Sequence, residues 1–288
     1  MNFKKTKKIT KSILLIVIII LLNGCCDDMV LFHSKGYIGI QERSLILISL
    51  IMMSIIITPV IIMTLVFLNK YKSSNNNKYD PNWNHSSKIE YTIWTLPILS
   101  IIFLAIITWI STHKLDPNKP IKSEKETILI QVVSFDWKWL FIYPKYDIAT
   151  INEIVFPINT PIKFQITSNS VMNSFFIPQL GSQIYAMNGM NSTLYLMANE
   201  EGKYKGISAN FSGKEFSKMK FFAIATKDKS SFNTWVKKVK NSPDTLNTSK
   251  DYKILEKKDT YNVAKYFSKV ENELFKNIIN KHKCKYSS

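Results

Sequence analysis

Three stretches of this 288-residue chain carry side chains able to do more than pack. The first ends at Cys25. Lys4, Lys5, Lys7, Lys8 and Lys11 precede an apolar run from Ile13 to Leu22, and Leu22-Asn23-Gly24-Cys25 closes it. A basic start, a short apolar core and a small residue before cysteine make a secretory signal of bacterial lipobox type, so lipidation of the Cys25 thiol is the chemistry expected. Asn23 is unusual in that slot, and an uncleaved signal anchor is the competing reading. The second is Glu90, in Lys88-Ile-Glu90-Tyr-Thr-Ile-Trp94, the acid at the mouth of an apolar segment. A half-solvated carboxylate there can receive protons, or it can serve as an interfacial anchor; both readings stand. The third is Tyr204 to Met219, taken together with Asn173. Asn173, Ser208, Asn210, Ser212 and Phe216 offer amides, hydroxyls and a phenyl ring, and Met219 a lone thioether. Such groups hydrogen-bond and pack, but they make a poor site for a soft metal.

The remaining candidates for metal chemistry are sparse. His33, His85, His113 and His282 are isolated, without metal-ligand spacing, and read as solvated or interfacial. With Cys25 assigned to lipidation, Cys26 and Cys284 lie far apart with no disulfide framework between them. The formal charge of +17 would raise nucleic-acid binding in a soluble protein. Here the lysines are spread along the whole chain and no nucleic-acid motif accompanies them, so that class is excluded. Attraction to anionic lipid headgroups is a secondary effect of the same charge.

Two long apolar runs must position these groups. Residues 45–68 and 91–110 are uncharged and long enough to cross ~30 Å of hydrocarbon. Pro59 and Pro97 fall inside them and are expected to bend the helices. With a signal peptide at 1–24 and an exported segment at 25–44, parity places the loop 69–90 in the cytoplasm and everything after the second span outside. Lys70, Lys72, Lys78 and Lys88 in that loop agree with the positive-inside rule, although Lys114, Lys119, Lys122 and Lys125 blur it.

From about Lys125 the pattern changes to short β-rich runs. Thr127–Ser134, Ile162–Thr167, Thr193–Met197 and Lys218–Ala225 read as strands with turn signals between them, and many short strands of this kind argue for a β-sandwich over 125–226. Ser231, Phe232, Trp235, Val236 and Val239 then mark one face of an amphipathic helix. The region 230–288 is expected to be helical and rich in aromatics, fraying from Asn280 onward.

Several long runs carry a family resemblance. They are Gly39-Ile-Gln-Glu-Arg-Ser-Leu45, Tyr79-Asp-Pro-Asn-Trp-Asn-His-Ser86, Trp94-Thr-Leu-Pro-Ile98, Val132-Val-Ser-Phe-Asp-Trp-Lys-Trp139, Ser168-Asn-Ser-Val-Met-Asn-Ser-Phe-Phe-Ile-Pro178 and Leu180-Gly-Ser-Gln-Ile-Tyr-Ala-Met187. The chain resembles subunit II of the haem-copper oxidases, and within it the quinol-oxidase branch that lacks copper. In copper-bearing members the slots of Ser208 and Ser212 hold cysteines, that of Asn210 a glutamate, and those of Phe216 and Asn173 histidines. Met219 alone matches a ligand here.

The resemblance implies a cupredoxin-like sandwich behind a two-helix membrane hairpin, with a C-terminal aromatic-rich extension. It implies a subunit without a redox centre in a proton-pumping ubiquinol oxidase, with the haems and copper in a partner subunit I. The other partners it implies are further subunits, membrane lipid and, for the complex, ubiquinol. It places Glu90 at the entrance of a proton-uptake channel. In copper-bearing members the tryptophan region matching Asp136–Tyr143 lies near the electron-entry surface; without copper that role has no purpose, and these tryptophans are expected to pack in the sandwich or against the catalytic subunit. The vacated copper positions are expected to form a polar network of Asn173, Ser208, Asn210 and Ser212, with Phe216 filling the volume of an imidazole. A free-standing lipoprotein with a cupredoxin-like binding or assembly module is the alternative.

Overall fold

The computed structural model describes residues 29–72, 85–247, 249–256 and 263–283. The signal segment 1–24, Cys25, Cys26, Cys284 and most of the motif that begins at Tyr79 lie outside the described residues.

Helix α1 (Tyr37–Lys70) and helix α2 (Ser87–Lys114) contain the two apolar runs and extend beyond them at both ends. Hydropathy marks only the segment that must be apolar; the helices continue into polar residues such as Gln41, Glu42 and Arg43, the last two of which hydrogen-bond to Ser182 and Phe32. Both run through their prolines, Pro59 and Pro97, as single elements.

Eleven strands follow in two sheets. They are β1 (Ile128–Phe135), β2 (Lys138–Tyr143), β3 (Ile148–Ile151), β4 (Glu153–Pro157), β5 (Ile162–Ser168), β6 (Asn173–Phe176), β7 (Ile184–Ala186), β8 (Ser192–Leu196), β9 (Gly202–Ser208), β10 (Lys220–Thr226) and β11 (Lys265–Phe267). One sheet has the order β11-β3-β2-β1-β5-β8 and the other β4-β10-β9-β6-β7. β1 lies parallel to β5 and β4 parallel to β10, while the other pairings are antiparallel. Two mixed sheets packed face to face form the cupredoxin-like sandwich that the sequence led us to expect.

Period-two alternation sorts β1 between two cores. Ile130 and Val132 face the space between the sheets, where Trp139, Phe141, Phe164, Phe175 and Phe221 form an aromatic cluster. Val133 and Phe135 face outward, yet they are equally buried, because the C-terminal region covers them. Helix α3 (Lys229–Lys240) starts at Asp228, whose carboxylate accepts from the Ser231 amide at 2.7 Å. Its buried residues Phe232, Val236 and Val239 join the inner core. Helices α4 (Ser249–Glu256) and α5 (Leu274–Lys283) set Leu255, Leu274, Phe275 and Ile278 against the outer face of the six-stranded sheet.

The tail is helical as expected and adds one short strand. Tyr266 and Phe267 lie in β11, which extends the sheet beside β3. Residues 280–283, expected to fray, continue α5. An edge strand of three residues is specified by the partner it meets, which local periodicity does not reveal.

Candidate functional site

Ser208 is the last residue of β9, on the inward face that also carries Tyr204 and Gly206. The chain then leaves the sheet and returns through a 3₁₀ turn, Phe216–Lys218, to Met219 and β10. The Ser208 amide closes this loop by donating to the Met219 carbonyl at 3.2 Å, and the Ala209 amide donates to Ser174 O at 3.2 Å. Gly213 sits at φ +119°, and a Cβ there would come within 2.7 Å of the Trp137 ring. Only glycine suits both demands.

The structure brings Asn173, Ser208 and Asn210 together. Ser208 Oγ lies 3.0 Å from Asn173 Oδ1 and 3.4 Å from the Asn210 carbonyl. A hydroxyl has one proton to give, so the shorter contact is the bond. Asn173 Nδ2 donates to Val171 O at 3.0 Å, which fixes the amide orientation because a carbonyl can only accept. Asn210 Nδ2 reaches the carbonyls of Met172 and Phe211, both at 3.4 Å. Asn173 and Ser208 are buried.

Ser212 stays out of this network: its hydroxyl is buried without a protein partner. Phe216 is half-buried and meets Phe211 edge-on, with ring centroids 5.1 Å apart. Met219 is packed into the inner core. Trp139 is wholly buried between Phe175 and Phe221, while Trp137 holds φ +68° at the β1–β2 turn, against Gly213.

These donors do not fit a pair of coppers. Such a centre needs bridging thiolates and imidazoles, and here the slots hold two hydroxyls, two amides, a phenyl ring and one thioether. Among the described residues no group of three or more His, Cys, Asp or Glu is placed to hold a metal ion.

Because the network is buried, its bonds should be measurable. Ser208→Ala strands Asn173 Oδ1 at a cost of about 1–3 kcal/mol. At about 2–4 °C per kcal/mol for a domain of this size, the full-length chain should melt several degrees lower. Ser212→Ala, which breaks no protein hydrogen bond, should melt with the parent. Equal melting of the Ser208 variant and the parent would contradict the network.

Glu90 lies in the first turn of α2, and its carboxylate is 3.3 Å from His85 Nδ1. His85 is therefore not isolated, as spacing along the chain suggested.

The sequence reading missed two further clusters. The first joins α1 to the sandwich. The amides of Lys35 and Gly36 donate to Gln179 O (2.8 and 3.0 Å), Gly39 N to Leu180 O (3.0 Å) and Tyr37 N to Met197 O (3.0 Å). The Ser182 hydroxyl donates to the Glu42 carboxylate. The runs beginning at Gly39 and Leu180 were both conspicuous in the sequence; that they touch was not readable from it. The second cluster gathers the tail on Asn169. Tyr252 OH donates to Asn169 Oδ1 at 2.6 Å, Asn169 Nδ2 donates to Glu256 at 3.2 Å, and Glu256 pairs with Lys281. Burial raises the Tyr252 hydroxyl well above its usual range, and the charge of Glu256 adds to this. For Glu256 burial works against ionisation, yet bonds from Lys281 and Asn169 prevail and hold its carboxyl below the usual range.

The model of the cytochrome c oxidase subunit II periplasmic domain matches residues 146–226, and that of the COX aromatic-rich motif matches 240–282. The chain is 55% identical over 271 residues to cytochrome bo(3) ubiquinol oxidase subunit 2 of Buchnera aphidicola subsp. Schizaphis graminum (strain Sg), covering 94% of this chain and 93% of that one. It is 53% identical over 260 residues to the protein of the same name from Pseudomonas aeruginosa, covering 90% and 77%. Among solved structures, the periplasmic domain of subunit II of cytochrome oxidase from Bradyrhizobium japonicum is 23% identical and covers 41% of this chain and 94% of that one, with a TM-score of 0.38.

Proposed function

The chain belongs to the family of cytochrome bo(3) ubiquinol oxidase subunit 2, and from that premise we propose that it serves its terminal respiratory oxidase without a redox centre of its own. It is a membrane protein with two apolar helices and a periplasmic domain, one subunit of a multi-subunit oxidase. The observation that carries the proposal is the donor set at the slots where copper-bearing counterparts ligate: Asn173, Ser208 and Asn210 hydrogen-bond, Phe216 packs, and Ser212 is a buried hydroxyl without a protein partner. Ubiquinol is apolar and reaches its enzyme through the lipid, carrying electrons and protons together. An aqueous electron port is then unnecessary. The haems and copper belong to the catalytic subunit I, which also takes the quinol, while this chain supplies docking contacts, assembly and lipid anchoring.

The junction supports one topology. The residues just ahead of α1 hydrogen-bond to the sandwich, which supports an N-terminal segment and a β-domain on the same, outer side of the inner membrane, with 69–90 in the cytoplasm. A lipid on Cys25 would then tether the same side.

Affinity purification of the full-length chain in mild detergent tests the assignment. A haem-bearing membrane partner should accompany it, and the preparation should consume oxygen with quinol and not with reduced cytochrome c. A solitary, colourless protein would favour the free-standing lipoprotein.

Glu90 is assigned to proton uptake by the partner subunit. Its pairing with His85 gives a carboxylate and an imidazole in contact at the foot of α2, two groups able to pass a proton. The competing role is electrostatic, since an acid in the first turn complements the helix dipole. Glu90→Gln should slow quinol-driven oxygen uptake while haem content and subunit stoichiometry stay at parental levels. Unchanged turnover would reduce Glu90 to an anchor.

A further inference from the structure

Where the linker after α2 enters β1, the sandwich opens into a cavity of about 270 Å³ rimmed by Lys125, Lys145, Lys229 and Glu126. Its charge is unbalanced. Lys145 Nζ lies 2.7 and 2.8 Å from the two carboxylate oxygens of Glu126. That bond and charge, with a smaller contribution from Lys229, hold the Glu126 carboxyl below the usual range. Among the lining residues one carboxylate thus stands against three ammonium groups. Lys125 spends one donor on the Ile158 carbonyl at 3.1 Å; an ammonium has three.

The rest of the lining is mostly apolar, although Thr127 and Thr160 add hydroxyls. Ile128, Tyr146 and Pro157 contribute to the same cavity, beneath a cationic rim. A small inorganic anion has no use for such a floor, whereas an amphiphile with an anionic head matches both halves.

The position fits the same ligand. Asn159, next to Ile158, donates its amide to Ala198 O at 2.8 Å, and Ala198 bridges Gly36, the residue at which α1 begins. Lys125 itself lies on the linker that leaves α2 at Lys114. The cavity therefore sits at the end of the sandwich from which both apolar helices depart.

We propose that this cavity seats an anionic membrane phospholipid, with the phosphate between Lys125 and Lys229 and the first carbons of an acyl chain over Ile128, Tyr146 and Pro157. Besides oxidase membership, the site would give the β-domain its own hold on the outer leaflet. The inference rests on the membrane placement of the helices and is independent of the copper-free loop and of Glu90.

Native mass spectrometry of the full-length chain in mild detergent tests it, with titration by dioleoylphosphatidylglycerol, dioleoylphosphatidylcholine or inorganic phosphate. The phosphatidylglycerol should bind more tightly than the phosphatidylcholine. At roughly fivefold per lysine near a headgroup, Lys125→Gln with Lys229→Gln should weaken phosphatidylglycerol binding about 25-fold and leave the Lys145–Glu126 pair intact. Lys125→Arg with Lys229→Arg should retain the preference, which separates loss of charge from loss of fold. Lys237→Gln with Lys240→Gln, which removes equal charge from the exposed face of α3, should bind as the parent does. Equal weakening by the two glutamine pairs, no preference between the lipids, or displacement of the lipid by equimolar inorganic phosphate would each overturn the proposal.

Discussion

In a Gly36→Ala variant, the amides of Lys35, residue 36, Tyr37 and Gly39 exchange with solvent about tenfold to a hundredfold faster than in the parent, while the amides of the inner sheets keep their protection. The reason is backbone against backbone. A Cβ on Gly36 would stand 2.1 Å from the Leu180 carbonyl oxygen and 2.5 Å from the Leu180 Cα, and a Cβ on Gly39 3.2 Å from the same carbonyl. No side-chain rotamer relieves such a clash, so α1 must lift from the strand connection it is bonded to. Overpacking of this kind costs about 1–3 kcal/mol. The damage falls on the four amide bonds to Gln179, Leu180 and Met197, hence local and not global loss of protection. Hydrogen exchange read by mass spectrometry on the full-length chain decides it. Parental exchange at these amides would mean that the junction does not hold the β-domain to its membrane helix.

A second large effect is expected at the cross-strand pair Gly206 and Phe221, which face each other in β9 and β10. Phe221 stacks on Phe175 with ring centroids 5.1 Å apart and planes 8° from parallel, and it also meets Trp139 and Phe141. It is 1% exposed. Phe221→Ala should cost about 3–5 kcal/mol, or roughly 10 °C of melting temperature at this domain size. Gly206→Ala should also destabilise, because its Cβ would lie 2.1–2.4 Å from the Phe221 ring. The ring is what that Cβ meets. In the Phe221→Ala background the Gly206→Ala change should therefore be close to neutral, and a thermal-melt double-mutant cycle should show strong coupling of the two sites. Additive losses would contradict this packing.

The legibility of the fold in the sequence was uneven, for physical reasons. The two spans were plain because an uncharged run of that length has few other uses. Their ends were not, since α1 runs out of the apolar segment to Tyr37. The expected strands at Thr127, Ile162 and Thr193 fell within a residue or two of β1, β5 and β8, where alternation and β-branched residues agree. β11 was invisible, because Lys265–Phe267 is a strand only by virtue of its neighbour β3.

The site divides the same way. Residue types alone showed that the loop from Ser208 to Met219 suits hydrogen bonds better than soft-metal ligation. The expected network of four polar residues was too generous. Ser212 sits beside Gly213, whose positive φ turns the loop at that point, and its hydroxyl finds no partner. Backbone direction within an irregular loop is not written in residue types. Nor does linear spacing reveal that His85 meets Glu90, or that Tyr252 bonds Asn169.

Copper analysis of the purified full-length chain, after incubation with excess copper and removal of the unbound metal, bears most directly on the central claim. Hydroxyls, amides and a phenyl ring in the ligand slots predict substoichiometric copper and no near-infrared mixed-valence absorption. Stoichiometric copper together with that absorption band would contradict it.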